Sequence, residues 1–280
     1  MASTPELLLR HDCDVRLLGE RLAERFVVLP PDEACAEFVS RASVRRHSAV
    51  KTLAHRVLRQ FFSDFDVNGV LGMYSMHLLS AAQWQRLLGA EEAPRLLDVG
   101  AGDGLVTHAL AQCFSEVTAT ETSAPMVRRL RARGFASYLL DVTHHPIPGA
   151  PYDAISLLNV LDRCASPLSL LASVRKALTP RGRLILALVV PYRPFFFSGR
   201  STPSPIRPLP LTDTLEFEVA ARRVCDSVLE PAGFIVESLA RAPYLSWGDS
   251  RVAIYELDAL VIVARRRPAE RAEAPPGATD

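Results

Sequence analysis

Lysine is almost missing from this chain of 280 residues: Lys51 and Lys176 are the only two, and arginine carries nearly all the positive charge. That bias alone points to no function. An excess of either sign is missing too. Lys+Arg number 32 against 31 Asp+Glu, a net charge of +1, which argues against a partner tracked by electrostatics, such as nucleic acid. Cysteine is sparse and unpaired. Cys13, Cys35, Cys113, Cys164 and Cys225 are odd in number and contain no C-x-x-C, which suggests neither a disulfide framework nor a zinc site. The seven histidines include no H-x-x-x-H, so no metal is expected. Long apolar runs are lacking. The longest, Leu184 to Pro191, is too short to span a bilayer, and Leu7-Leu8-Leu9, closed by Arg10, is too short for a signal-peptide core. The expectation is a cytoplasmic chain without a membrane span. At 49% hydrophobic and 22% charged, it has the composition of a globular protein with a sizeable core.

Three stretches differ in pattern. Residues 1–90 read as a helical extension. In it Leu53, Ala54, Val57, Leu58, Phe61 and Phe62 fall at helical spacing and predict one buried stripe. Arg45, Arg46, Lys51, Arg56 and Arg59 lie at other positions, as a solvated face does. The pattern is expected to end at the turn signal Asp66-Val67-Asn68-Gly69, and Ser80 is expected to cap a short helix ending at Leu88. Residues 91–265 alternate short apolar runs with helical ones, which predicts an α/β domain: a parallel sheet with helices on both faces. A Pro-rich stretch, Pro191 to Pro210, contains Phe195-Phe196-Phe197 and interrupts it. Residues 266–280 are Pro, Ala and charge, a disordered tail by composition.

The chemistry concentrates where the second stretch begins. Leu96-Leu97-Asp98-Val99 leads straight into Gly100-Ala101-Gly102-Asp103-Gly104 and then a helix. Small residues at such a strand–loop–helix junction let a ligand approach the backbone. The third glycine of G-x-G-x-x-G is replaced by Leu105, and Gly-Lys-Ser/Thr is missing, so neither the NAD fingerprint nor a P-loop is present. Glu121 lies at the end of the next strand, placed to accept ribose hydroxyls, and Asp141 closes the third, within reach of an adenine amino group. With Thr179-Pro180-Arg181-Gly182 ahead of the most apolar strand, this series resembles the class I methyltransferase (Rossmann-like) fold. That resemblance implies S-adenosylmethionine as cofactor. Cofactor contacts are then expected from Asp98, Gly100, Ala101, Gly102, Glu121, Asp141 and Asn159.

At the end of the fourth strand stands Asn159-Val160-Leu161-Asp162-Arg163-Cys164, without the Pro-Pro-aromatic device of base-methylating relatives. On spacing alone, Asn159 equally satisfies backbone at a strand end and Asp162 equally caps the next helix, while Tyr244 equally reads as core. Arg163 reads as an ion-pair partner of a neighbouring acid. The strings Leu157 to Cys164, Asp98 to Gly104, Asn68 to Met76 and Arg241-Ala242-Pro243-Tyr244-Leu245 together resemble the DREV family of methyltransferase-like proteins, from about Phe38 to Val263. The resemblance implies a protein-histidine methyltransferase that acts on His-x-His segments with a small middle residue and forms the pros (Nδ1) product. It places Asn159 and Asp162 at the substrate histidine and Tyr244 across the pocket. Asp141 stands where some members carry asparagine, and Met73-Tyr74 replaces a more usual Arg-Gly. Asp162, Asp249 and Glu256 are expected to make the peptide groove acidic. A small-molecule O- or N-methyltransferase of the same fold, with the Pro-rich stretch as a lid, is the alternative. A cofactor-binding protein without catalysis is a third.

Overall fold

The computed structural model describes residues 6–44, 49–58, 63–72, 75–89, 93–196, 201–211, 213–214, 216–248 and 252–268. Helices α1 (Val15–Leu18), α2 (Glu20–Ala23), α3 (Glu33–Val44), α4 (Ala49–Leu58) and α5 (Asp64–Leu71) precede strand β1 (Met76–His77) and α6 (Ala81–Leu88). Next come β2 (Arg95–Val99), α7 (Leu105–Ala111), β3 (Glu116–Glu121), α8 (Ala124–Ala132) and β4 (Ala136–Leu139). Then follow β5 (Tyr152–Leu158), α9 (Pro167–Ala177) and β6 (Leu178–Val190). Helix α10 (Phe217–Arg223) runs on into a π-helical stretch, Val224–Leu229, before β7 (Phe234–Trp247) and β8 (Ile254–Arg266).

Among the described residues the strands form one sheet in the order β1-β7-β8-β6-β5-β2-β3-β4. Neighbours from β4 to β6 are parallel, while β8 runs antiparallel to both β6 and β7. The parallel expectation therefore holds for five strands; of the last two, β8 is reversed and β7, antiparallel to β8, points the same way as the five. The connection 248–253 is too short for a helical crossover, so β7 and β8 close as a hairpin.

Side chains alternate along each central strand, and both faces are covered. Leu184, Leu186, Leu188 and Val190 of β6 join Leu97, Val99, Ile155 and Leu157 in one core, with Leu170, Leu171 and Val174 of α9 and Phe217 of α10. Ile185 and Ala187 point to the other core, with Leu96, Trp84 and Leu87. A strand apolar at successive positions is what burial on two faces requires. The N-terminal segment contributes to both cores through Leu18 and Leu22 on one side and Leu29, Leu78 and Leu79 on the other. It also joins the sheet: β1 pairs with β7, and Val27 N donates to Leu239 O at 2.8 Å.

Three local expectations meet different outcomes. Ser80 caps α6 as expected, within a full capping box: its hydroxyl accepts from Gln83 N, and the Gln83 side chain accepts from Ser80 N. The turn expected at Asp66–Gly69 is instead the interior of α5, which Ser63 caps and which ends at Gly72 in a left-handed conformation. Gly69 serves packing there, since a Cβ would meet Pro125 Cβ of α8 at 2.9 Å. The predicted stripe on α4 is only partly buried: Leu53 is 63% exposed and Val57 47%. Helix α4 packs chiefly on α5, and one neighbour cannot cover a whole apolar face. Phe61, Phe62, Arg45, Arg46, Arg59, Met73, Tyr74, Phe197, Asp249 and the tail from 269 lie outside the described residues.

Candidate active site

The chain order reverses at β2. From β2 it steps outward to β3 and β4, then returns to pair β5 on the other side of β2. Ligands of open parallel sheets bind outside the strand ends at such a switch point. Here those ends carry Gly100 and Asn159, and the loops that follow touch: a Cβ on Gly100 would lie 2.8 Å from Val160 Cγ2.

The glycine loop owes its course to three residues at positive φ, namely Gly100 (68°), Gly102 (58°) and Gly104 (82°). Two of them are tight. Gly100 faces Val160, and a Cβ on Gly104 would reach Leu130 Cδ2 at 2.8 Å. Gly102 is different, because a Cβ there would meet nothing within 4 Å. That open side of the backbone is where a ligand can come close. Behind the loop, Gly100 N and Ala101 N both donate to Thr120 O, at 2.8 and 3.2 Å.

Asp98 lies on the protein side of the loop and is 1% exposed. Its two oxygens accept from Thr107 Oγ1 and Ser156 Oγ, each at 2.6 Å. The carboxylate thus ties β2 to β5 and to α7. Burial raises its pKa to about 6, against the two hydroxyls, which lower it. Sequence reasoning misses Thr107 and Ser156. Their one signal is a hydroxyl inside an apolar run, with Ser156 in register opposite Asp98.

Glu121 is buried at the end of β3. Oε2 accepts from Gly102 N at 3.0 Å, while Oε1 accepts from Thr122 N, Ser123 N and Thr122 Oγ1. Burial raises its pKa, and these donors oppose the shift. Oε2, with one protein donor, keeps capacity for a hydroxyl. Ser123 goes on to cap α8 and donates through its hydroxyl to Asp66 Oδ1 at 2.6 Å, joining α5 to the site. Asp141 sits half-exposed just beyond β4, its Oδ1 accepting from Thr143 N and Thr143 Oγ1.

Asn159, Asp162 and Tyr244 come together. Asn159 adopts φ 58°, a left-handed conformation that asparagine tolerates, and its N donates to Ala187 O at 2.9 Å. Both polar atoms of its side chain are buried without a well-formed hydrogen bond, with the Tyr244 phenol beside them. The Tyr244 hydroxyl donates to Met76 Sδ, and burial pushes its pKa up to about 12. Asp162 is 1% exposed. Oδ2 meets Arg163 Nη1 at 2.8 Å, and Oδ1 is buried with no hydrogen-bond partner among the described residues. Burial raises the Asp162 pKa and Arg163 acts against that shift. The capping alternative fails, since α9 begins after Ser166. The ion pair read for Arg163 is present. Glu256, expected among the groove acids, instead accepts from Leu8 N and Leu9 N and holds the N-terminal segment.

A half-open cavity of about 420 Å³ lies beside the loop, lined among others by Asp103, Arg133, Glu37, Arg41, Phe38 and Trp247. Four of its charges form pairs, Asp103 with Arg133 at 3.2 Å and Glu37 with Arg41 at 2.6 Å, while Arg129 on the same lining bonds the backbone carbonyls of Gly69 and Val70. No cluster of three or more metal-ligating side chains occurs among the described residues, and no helix there is long and apolar enough to cross a membrane.

These features suit S-adenosylmethionine. Gly102 leaves its backbone open, Glu121 Oε2 retains acceptor capacity, and the buried amide of Asn159 stands where the two loops meet.

Comparison with known proteins agrees. A ubiquinone biosynthesis O-methyltransferase from Xylella fastidiosa (strain 9a5c) is 30% identical over 102 residues, 34% of this chain and 42% of that protein. A demethylmenaquinone methyltransferase from Chlamydia muridarum (strain MoPn / Nigg) is 29% identical over 181 residues, 54% of this chain and 78% of that one. The chain thus spans less than half the length of the first of these relatives. A solved structure from the study of disulfide-to-thioacetal conversion in echinomycin biosynthesis shares the fold. Its TM-score is 0.50 at 15% identity, covering 70% of this chain and 84% of that one. The DREV methyltransferase family matches residues 11–266, nearly the whole described chain, and this protein therefore belongs to that family, with S-adenosylmethionine as its cofactor.

Proposed function

We propose that this methyltransferase modifies Nδ1 of histidine in His-x-His segments of a protein, in the cytoplasm. The observation that carries the reading is Asp162 Oδ1: a buried carboxylate oxygen, lacking a hydrogen-bond partner among the described residues, near the Asn159 amide and the Tyr244 phenol that amide meets. A buried acceptor left open in this way is costly unless a ligand donor completes it.

A neutral imidazole has one N–H and one lone pair. If Asp162 Oδ1 accepts the Nε2–H, the lone pair must be on Nδ1, facing the methyl group. S-adenosylmethionine supplies that methyl on a sulfonium sulfur, activated for displacement. Displacement of that methyl by the Nδ1 lone pair would break the carbon–sulfur bond, leave its electron pair on sulfur and turn the ring into an imidazolium. Asp162 stabilises that cation, and the Nε2 proton then leaves to solvent. No strong base is needed, since histidine is mostly neutral at pH 7. Holding the nucleophile in line supplies most of the acceleration. In this reading Asn159 and Tyr244 close the pocket around the ring, and Gly100–Gly102, Glu121 and Asp141 hold the cofactor, with Asp98 fixing the loop from behind.

The charged lining beside the loop suits a peptide better than the closed apolar pocket that a quinone requires. The test is a methylation assay with a His-Ala-His peptide and, in parallel, a quinol of the kind named for the relatives. Fragmentation should identify pros-methylhistidine in the peptide. Methylation of the quinol alone overturns the proposal.

A further inference from the structure

The Pro-rich stretch after β6 is fastened to the loop that carries Asp162. Phe195 N donates to Asp162 O at 2.9 Å, and Ile206 N donates to Ala165 O at 3.0 Å. Beside the first of these bonds lies the guanidinium of Arg163. It meets Asp162 Oδ2 at 2.8 Å and Asp162 O at 3.2 Å, and its carbon stands 4.0 Å from the centre of the Phe195 ring. One planar cation therefore joins the site carboxylate to the strap. A guanidinium suits this place because it can bond in its plane and stack on its face at once.

We infer that Arg163 is a positioning residue: by holding Oδ2 of Asp162 and stacking on Phe195, it leaves Oδ1 as the single acceptor offered to the substrate ring. This rests on the reading of Asp162 given above. The groups that interact with Asp162 come from three places: Arg163 and Cys164 on its own loop, Tyr192 at the start of the strap, and Tyr244 on β7. Burial pushes Cys164, Tyr192 and Tyr244 each up to about 12, so all three are neutral at working pH. Arg163 is the one charge among them that opposes the rise in the Asp162 pKa caused by burial, with the residue's own backbone N–H acting in the same direction. The protonated acid would present an O–H to the ring and favour the tautomer with its proton on Nδ1, which cannot attack. The strap thus sets the reactive tautomer through Phe195 and Arg163.

The experiment follows the Asp162 carboxyl directly, by carbon NMR titration of the protein bound to S-adenosylhomocysteine, with Asp162→Asn identifying the signal. In Arg163→Ala the midpoint should rise by about one pH unit or more. The acid limb of turnover on the His-Ala-His peptide should move with it. Arg163→Lys should restore the midpoint, and Phe195→Ala should raise it by less than Arg163→Ala. If Arg163→Ala does not fold by circular dichroism, Phe195→Ala and Arg163→Lys carry the test. An unmoved midpoint in Arg163→Ala, or in Phe195→Ala where Arg163→Ala does not fold, overturns the inference and leaves Arg163 a brace of the fold. A moved midpoint without any histidine methylation upholds it and defeats the proposed substrate instead, because the titration needs no acceptor.

Discussion

Gly102 N and Glu121 Oε2 are joined by a 3.0 Å hydrogen bond that ties the loop after β2 to the acid ending β3. The acid expected to face the ribose thus also shapes the loop beneath the cofactor. Glu121→Ala removes both functions. It should weaken S-adenosylhomocysteine binding by about 2–4 kcal/mol, since two hydroxyls and Gly102 N–H lose a charged acceptor. Calorimetry giving an unchanged affinity would remove Glu121 from the cofactor site.

The loop glycines should separate into two kinds. Gly102→Ala faces open space, so it should cost about 1 kcal/mol of stability from its positive φ yet sharply weaken S-adenosylhomocysteine binding. Gly100→Ala should lose more stability, because its Cβ overlaps Val160, and adding Val160→Ala should recover part of the loss. Melting temperatures and calorimetry on the three variants decide it. Equal melting losses at both glycines would contradict this division.

Helix propensity predicts that Gly69→Ala, inside α5, gains about 1 kcal/mol. The contact with Pro125 predicts the opposite sign, since a Cβ would sit 2.9 Å from Pro125 Cβ and press α5 off α8. Net destabilisation in urea unfolding is expected. A stabilised variant would show that the two helices can move apart at no cost.

Asp98 gives a pH signature. Its folded pKa is raised to about 6 from an ordinary carboxylate value, so the folded state holds this proton more tightly than the unfolded chain. That contribution is complete below about pH 4 and is lost as pH rises through about 6, at about 1.4 kcal/mol for each pH unit that separates the folded and unfolded values. Glu121, also raised by burial, adds a slope of the same sign. The quantity to measure is therefore the stability difference between wild type and Asp98→Asn. It should move in favour of the variant between pH 4 and pH 6. A difference that stays flat would mean the carboxyl is not held as described.

What could be read from the sequence was local. Ser80-x-x-Gln83 makes its capping box from backbone geometry alone, and the run Leu184–Val190 identifies a strand covered on both faces. Gly100, Glu121 and Asn159 mark the strand ends, because each stands where an apolar run stops. What escaped depended on partners distant in sequence. Gly69 reads as a turn until Pro125 is seen against it. Leu53 and Val57 read as core until α4 proves to have one main neighbour. Glu256 reads as a groove acid until Leu8 and Leu9 are found on its carboxylate. The role of Arg163 needed the ring of Phe195, brought back by a strap whose course no periodicity encodes.

The proposed chemistry turns on one oxygen, Asp162 Oδ1. The measurement that tests it most directly pairs two assays on Asp162→Asn: calorimetry with S-adenosylhomocysteine, and the methylation rate on a His-Ala-His peptide. The amide keeps the size of the carboxyl but loses its charge and can turn an NH₂ toward the ring. Turnover should therefore fall on the order of 10²–10⁴ while cofactor affinity stays near that of the parent. A variant that binds S-adenosylhomocysteine normally and methylates the peptide at the parent rate would contradict the role given to this carboxylate.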